Sequence, residues 1–381
     1  MAADAGESRS SPTLFLCGDV MTGRGIDQIQ ARSVPPELHE PWVRNAMDYV
    51  RLAERESGPV PQPVDPAYVW GEALPVWAGT PHDLSFVNLE TGITTSNDFW
   101  PSKGIHYRMH PENVACLRAA GIDGCTLANN HVMDLGYRGL EETLTTLEGA
   151  GIAVTGAGRD AAAAAKPAVF PLADGSRVVV HGFALGSGGV PEDWAAGRAR
   201  AGVNRLPDLA PQTADAVADA MLAGRRAGDV TVASIHWGGN WGYEISRDER
   251  HFARRLVDSG AADVIHGHSS HHPKGMERHR GKLILYGCGD FLNDYEGIGG
   301  HEAFRPWLSL MYFVTVDPGS GRATALTMVP LAIRRLRLVT ARPEDAEWLA
   351  RRLEKAAPGE AARIRVQAGC LVPDWSGVAA P

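Results

Sequence analysis

Apolar positions recur along the chain with two different periods. Short, nearly continuous apolar runs at 13–17, 84–88, 124–128, 177–183, 229–236, 262–266, 282–286 and 309–316 have the length of strands buried on both faces. Between them, apolar residues return every three or four positions at 112–120, 139–150, 211–227, 247–259 and 343–355, which predicts amphipathic helices. Gly121, Gly151, Gly228 and Gly260 stand where four of these helices should stop, since a left-handed glycine ends a helix without a Cβ clash. Strands alternating with helices predict an α/β fold with much parallel sheet. The five alanines at 161–165 predict one helical turn, and the four prolines within 59–66 predict a loop. One large domain is expected over 13–335, with a C-terminal helical extension over 336–381 packed on it.

The ends of the strands carry the chemistry. The first run ends in Gly18-Asp19, the second in Asn88-Leu89-Glu90, and the third in Asn129-Asn130-His131. The run at 229–236 ends in His236, and the next leads into His266-Gly267-His268-Ser269-Ser270-His271-His272. In open α/β sheets, ligands bind beyond the carboxyl ends of the strands. Each piece has a structural alternative. Asp19 alone reads as a cap, Glu90 as a solvated loop residue, Asn-Asn-His as turn chemistry and His236 as a core histidine. Their conjunction at equivalent positions favours a metal centre. Carboxylate, amide and imidazole donors without thiolate suit one or two divalent transition metals (Mn, Zn or Fe) better than Ca²⁺. Paired ions ~3.5–4 Å apart would activate a water and clamp an anion.

Composition narrows the field further. The 37 basic and 45 acidic residues give a net charge of −8, which argues against nucleic acid as a partner and leaves a small anionic substrate. The five cysteines show no metal-binding or disulfide spacing and read as reduced thiols. Residues 1–11 contain Asp4 and Glu7 and no apolar signal segment, and no window is long and apolar enough for a membrane span. The expected address is cytoplasmic. Oligomeric state has no signature.

Six motifs in order resemble the CapA/PgsA family. They are Gly18-Asp19-Val20-Met21, Asn88-Leu89-Glu90, Asn129-Asn130-His131 with Asp134 and Gly136, His236-Trp237-Gly238, Gly267-His268-Ser269-Ser270-His271 and Tyr286-Gly287-Cys288-Gly289-Asp290-Phe291. That family is similar to calcineurin-like metallophosphoesterases and is associated with poly-γ-glutamate capsule synthesis. The resemblance implies a four-layer αββα sandwich of the metallo-dependent phosphatase type, with a dinuclear site between the sheets. It implies Asp19 on the first metal, Glu90 as the bridge, and Asn130 and His236 on the second metal. His268 and His271 would complete the two spheres, with His131 as general acid oriented by Asp134. Two departures stand out. Met21 replaces the imidazole of an Asp-x-His motif, and the closing Gly-His-x-His is spread by one residue, so His266 competes with His271.

Substrate-side candidates are Arg24 in a Gly-rich turn, Asn88, Lys103, His106 and Trp237. For Arg24 the alternative is a surface arginine, and for Trp237 and the following Trp241 and Tyr243 it is domain packing. The expected function is a metal-dependent hydrolase of a phosphoester or related small metabolite, using metal-activated water with His131 as acid. The alternatives are an enzyme that makes or cleaves γ-glutamyl amide bonds, and a non-catalytic accessory protein with a degenerate metal site. The absence of an anchor weighs against a capsule role.

Overall fold

The computed structural model describes residues 11–358 and 363–375. Its larger sheet is built around β1 (Thr13–Val20), which is buried from Leu14 onward. β2 (Leu84–Leu89) pairs parallel with β1, and β3 (Gly124–Thr126) pairs parallel with β2. On its other side β1 meets the antiparallel strand Leu308–Val316, which continues to Ala323–Arg334. The smaller sheet centres on three parallel strands, β4 (Arg177–Ala184), β5 (Val230–His236) and β6 (Val264–His268). A short strand, β7 (Asp290–Leu292), returns to the first sheet and lies parallel beside the end of β1.

Side-chain alternation divides the core into three apolar layers. Leu14, Leu16 and Phe86 from the larger sheet share one layer with Val178, Val180, Val232 and Val264 from the smaller. Phe15, Cys17 and Val87 point the other way and join Leu140 and Leu144 of helix α1 (Gly136–Ala150). Phe183, Ala233, Ile235 and Ile265 meet α2 (Pro211–Ala223) and α3 (Arg247–Asp258). Each fully buried aliphatic or Phe side chain contributes ~1.5–3 kcal/mol, so strands that are apolar on both faces stabilise two layers at once.

All eight strand runs form strands, so the mixed α/β class is as expected. Helices differ from expectation at three places, the first being the helix at 139–150, which begins at Gly136. Residues 112–120 split into a 3₁₀ turn, Pro111–Val114, and a short helix, Ala115–Ala119. The helix at 211 stops at Ala223, capped at Gly224 rather than near Gly228, because Asp229 folds the next residues into a turn by accepting from the Arg226 amide at 2.7 Å. After residue 336 the chain supplies α4 (Pro343–Ala356) and also strands Arg337–Thr340, Arg363–Gln367 and Cys370–Asp374 at the edge of the larger sheet. Among the described residues no helix is long and apolar enough to cross a membrane. The leader-free reading of the N-terminus falls largely on residues 1–10, outside the described ones.

Candidate metal centre

Two carboxylates meet where β1 ends. A Cβ on Gly18 would sit 1.6 Å from the Gly289 carbonyl oxygen, so only glycine lets β7 approach this closely. The contact is fixed by the Asp19 amide donating to Gly289 O at 2.9 Å, and the register sets Asp19 beside Asp290. On the other flank Asn88 stands opposite Asp19. Its amide donates to Asp19 Oδ1 at 2.7 Å and to Glu90 Oε2 at 3.3 Å, while its oxygen accepts from Asn129 Nδ2 at 3.0 Å.

The smaller sheet brings the imidazoles. Parallel register places His236 beside His268, with their Nδ1 atoms 2.9 Å apart. Beyond β6 the chain turns at Ser269, a non-glycine residue at φ 104°, a conformation that tends to persist where the surrounding structure over-determines it. There the Ser269 amide donates to Asp19 Oδ2 at 3.2 Å. That turn swings His271 over to Asp290, Nδ1 to Oδ1 2.9 Å. Two donor sets result, each with ligand atoms within 4.8 Å of one another: Asp19, His236 and His268, and Asp19, His271 and Asp290. Asp19 belongs to both sets and Glu90 to neither.

The electrostatics of the cluster favour a cation as its partner. Burial, then the neighbouring Asp290, pushes the Asp19 carboxyl up to about 7. Burial and the same two aspartates raise Glu90 well above the ordinary range. Burial lowers His236 to about 3 and His268 well below its usual value, keeping both imidazoles neutral with lone pairs to offer. His236 Nε2 and Asn130 Oδ1 are buried without a hydrogen bond. Divalent ions would relieve the carboxylates and use such lone pairs together, so the donors fit a mixed N/O metal site.

His131 stands at the edge of this cluster. Its Nδ1 lies 2.7 Å from Asp134 Oδ2 and its Nε2 3.7 Å from Glu90 Oε1. Lys103 Nζ contacts the other Asp134 oxygen and approaches His131 Nδ1 at 2.9 Å. Burial alone would raise Asp134, but His131 and Lys103 hold it below the usual carboxylate range. Burial lowers His131 to about 4, with Lys103 adding to the shift and Asp134 opposing it.

The remaining candidates divide. His266 is engaged at both nitrogens, with Cys17 O at 2.7 Å and Ser234 Oγ at 3.0 Å, so His271 rather than His266 reaches the carboxylates. Arg24 is buried, not on the surface, and its guanidinium is held by Asp294, Glu40 and Tyr49. It stacks against Tyr49 and Tyr107 with its carbon 3.8 and 4.4 Å from the ring centroids. Asn88 clamps the two carboxylates. His106 is buried against Phe99 with Nδ1 unpartnered. Trp237 packs on Phe252 under α3 and donates to Tyr286 O at 3.0 Å, so it is part of the core; Trp241 is the indole near the centre, 5.2 Å from His271. Asp290 is a donor that no sequence signal singles out by itself, although Gly289-Asp290 repeats the Gly18-Asp19 pattern at another strand.

This fold and cluster define an α/β protein whose strand ends converge on a buried group of histidines and carboxylates that could hold a metal ion. Residues 13–295 match the family described as bacterial capsule synthesis protein PGA_cap, and the chain belongs to that family. Two sequences from strains of Mycobacterium tuberculosis, each called a probable polyglutamine synthesis accessory protein, are 49% identical over 344 residues, 90% of this chain and 90% of theirs. The PGA biosynthesis protein CapA of Bacillus subtilis is 26% identical over 208 residues, 54% of this chain and 52% of its own length.

Proposed function

We propose that the chain is a metal-dependent hydrolase on a four-layer αββα scaffold of the metallophosphatase type, acting on a phosphoester or a related anionic metabolite. The observation that supports it most is Asp19, which stands in both donor sets and so takes the bridging role in this reading. His236 and His268, with Asn130 beside them, would hold one ion, and His271 and Asp290 the other. When bound, such ions supply Lewis-acid charge and an acidified water. Glu90 faces His131 and orients the substrate-side edge of the cluster. His131 Nε2 donates a proton to the leaving oxygen while Asp134 fixes the ring through Nδ1. Burial lowers its proton affinity in the free protein, and the charge of an anionic substrate beside it would favour imidazolium. Lys103 stands beside it as a cation for the same anion.

The relatives' names favour a second reading, in which the same centre works on γ-glutamyl amide bonds during polymer synthesis, or serves such a system without turnover. One experiment sorts these readings. Metal is counted in the purified protein and in Asp19→Ala and His268→Ala, and the metal-loaded protein is assayed on panels of phosphoesters and γ-glutamyl amides. We expect one to two transition-metal ions per chain, reduced in both variants, with turnover on phosphoesters. Turnover confined to the amides selects the second reading. A metal content near zero after supply of Mn²⁺ or Zn²⁺ rejects the metalloenzyme.

A further inference from the structure

Away from the centre, three cations converge on one cavity, and among the described residues its acidic lining residue, Glu244, makes no ion pair with any of them. Arg250, in the first turn of α3, and Arg352 and Lys355, near the end of α4, line a cavity of ≈ 320 Å³ with Tyr243, Glu244 and Ile245. Neighbours on the same helices are paired, Arg254 with Glu277 and Arg351 with Glu347, but among the described residues none of these three cations makes an ion pair. Arg250 Nε and Tyr243 Oη are buried and make no hydrogen bond. The Arg352 guanidinium carbon lies 4.6 Å from the Tyr243 ring centroid, which holds it over the cavity. A cation in the last turn of a helix is favoured by the helix dipole, and that accounts for Lys355 by itself. It does not account for Arg250, which comes from the start of a different helix, nor for buried donors left without a hydrogen bond.

We propose that this cavity is a binding site for an oxyanion, carboxylate or phosphate, separate from the metal centre. Guanidinium forks and a phenol hydroxyl are the donors that recognise either group. The Tyr243 and Trp241 rings each lie 5.4 Å from that of Phe304, and Trp241, 5.2 Å from His271, is stacked on His301 at 3.8 Å. An aromatic ridge thus runs from the centre to the cavity. An extended molecule carrying several anionic groups can lie along it with one group in each place.

Calorimetric titration of the full chain with inorganic phosphate, and separately with tricarballylate, tests the site. Saturable binding is expected for at least one probe, and the tighter arm identifies the source chemistry. Arg250→Gln and Arg352→Gln should each weaken it about tenfold and Lys355→Gln about threefold, with metal content unchanged. Lys355 is exposed, so its variant decides the matter if an arginine variant does not fold. Absence of saturable binding for both probes, or affinities unaltered in the folded variants, overturns the proposal.

Discussion

At the scale of single residues, the centre depends on groups that hold other groups. Asn88 has no charge, yet it binds Asp19 and Glu90 at once and is itself held by Asn129. Asp134 spends one oxygen on His131 and the Tyr107 amide and the other on Lys103. If His131 is the acid, Asp134→Asn removes the charge that favours its protonated form and the acceptor that fixes its tautomer. Turnover on the substrate found by the panels should fall ~10²-fold or more, with metal content retained and KM little changed. Equal losses in KM and metal content would instead make Asp134 a structural residue.

Elements decide how firmly those residues are presented. Helix α3 begins with a capping box, Ser246 Oγ accepting from the Glu249 amide at 3.1 Å and Glu249 Oε2 accepting from the Ser246 amide at 2.7 Å. Ser246→Ala should cost ~1 kcal/mol in denaturant unfolding, and no change would mean that packing alone sets this helix start. Strand β4 is tied to the turn before β5 by Arg177, whose Nε donates to Asp229 Oδ1 at 2.9 Å. Burial opposes ionisation of Asp229, yet Arg177 and the Arg226 amide hold its carboxyl below the usual range. The stabilisation is therefore complete above the unfolded value of ~3.9 and is lost as pH falls through the lower folded value. Wild-type stability should drop more steeply below about pH 4 than that of Asp229→Asn; parallel acid limbs would show that the pair contributes nothing.

For the whole molecule, the buried cluster couples metal binding to stability. Its donors come from both sheets, which meet only when the chain is folded, so the unfolded chain offers no comparable site. Under this reading, Mn²⁺ or Zn²⁺ at about a hundred times its dissociation constant adds ~2.7 kcal/mol and raises Tm by about 3 °C. A chelator should reverse the shift in wild type and do nothing in Asp19→Ala. A Tm indifferent to metal in wild type would leave the cluster without an ion to hold.

The amino-acid sequence by itself determined the strands, the α/β class and the strand-end positions of Asp19, Glu90, Asn130, His131, His236 and His268, because apolar periodicity and abrupt polar termini are local properties. The family, too, was legible from the order of its motifs. Only the tertiary structure decided which donors face one another. Asp290 joins Asp19 through a pairing between strands far apart in the chain, which the contact of Gly18 with Gly289 permits. His271 was separated from His266 by a left-handed turn at Ser269, which no serine advertises. Arg24 and Trp237 carried the chemistry of substrate contacts, but one is held in a buried ion-pair network and the other lies beneath a helix. Spacing along a chain shows which side chains share an element, whereas distance between elements depends on register, close backbone approach and turn conformation, and these are fixed only when the sheets pack.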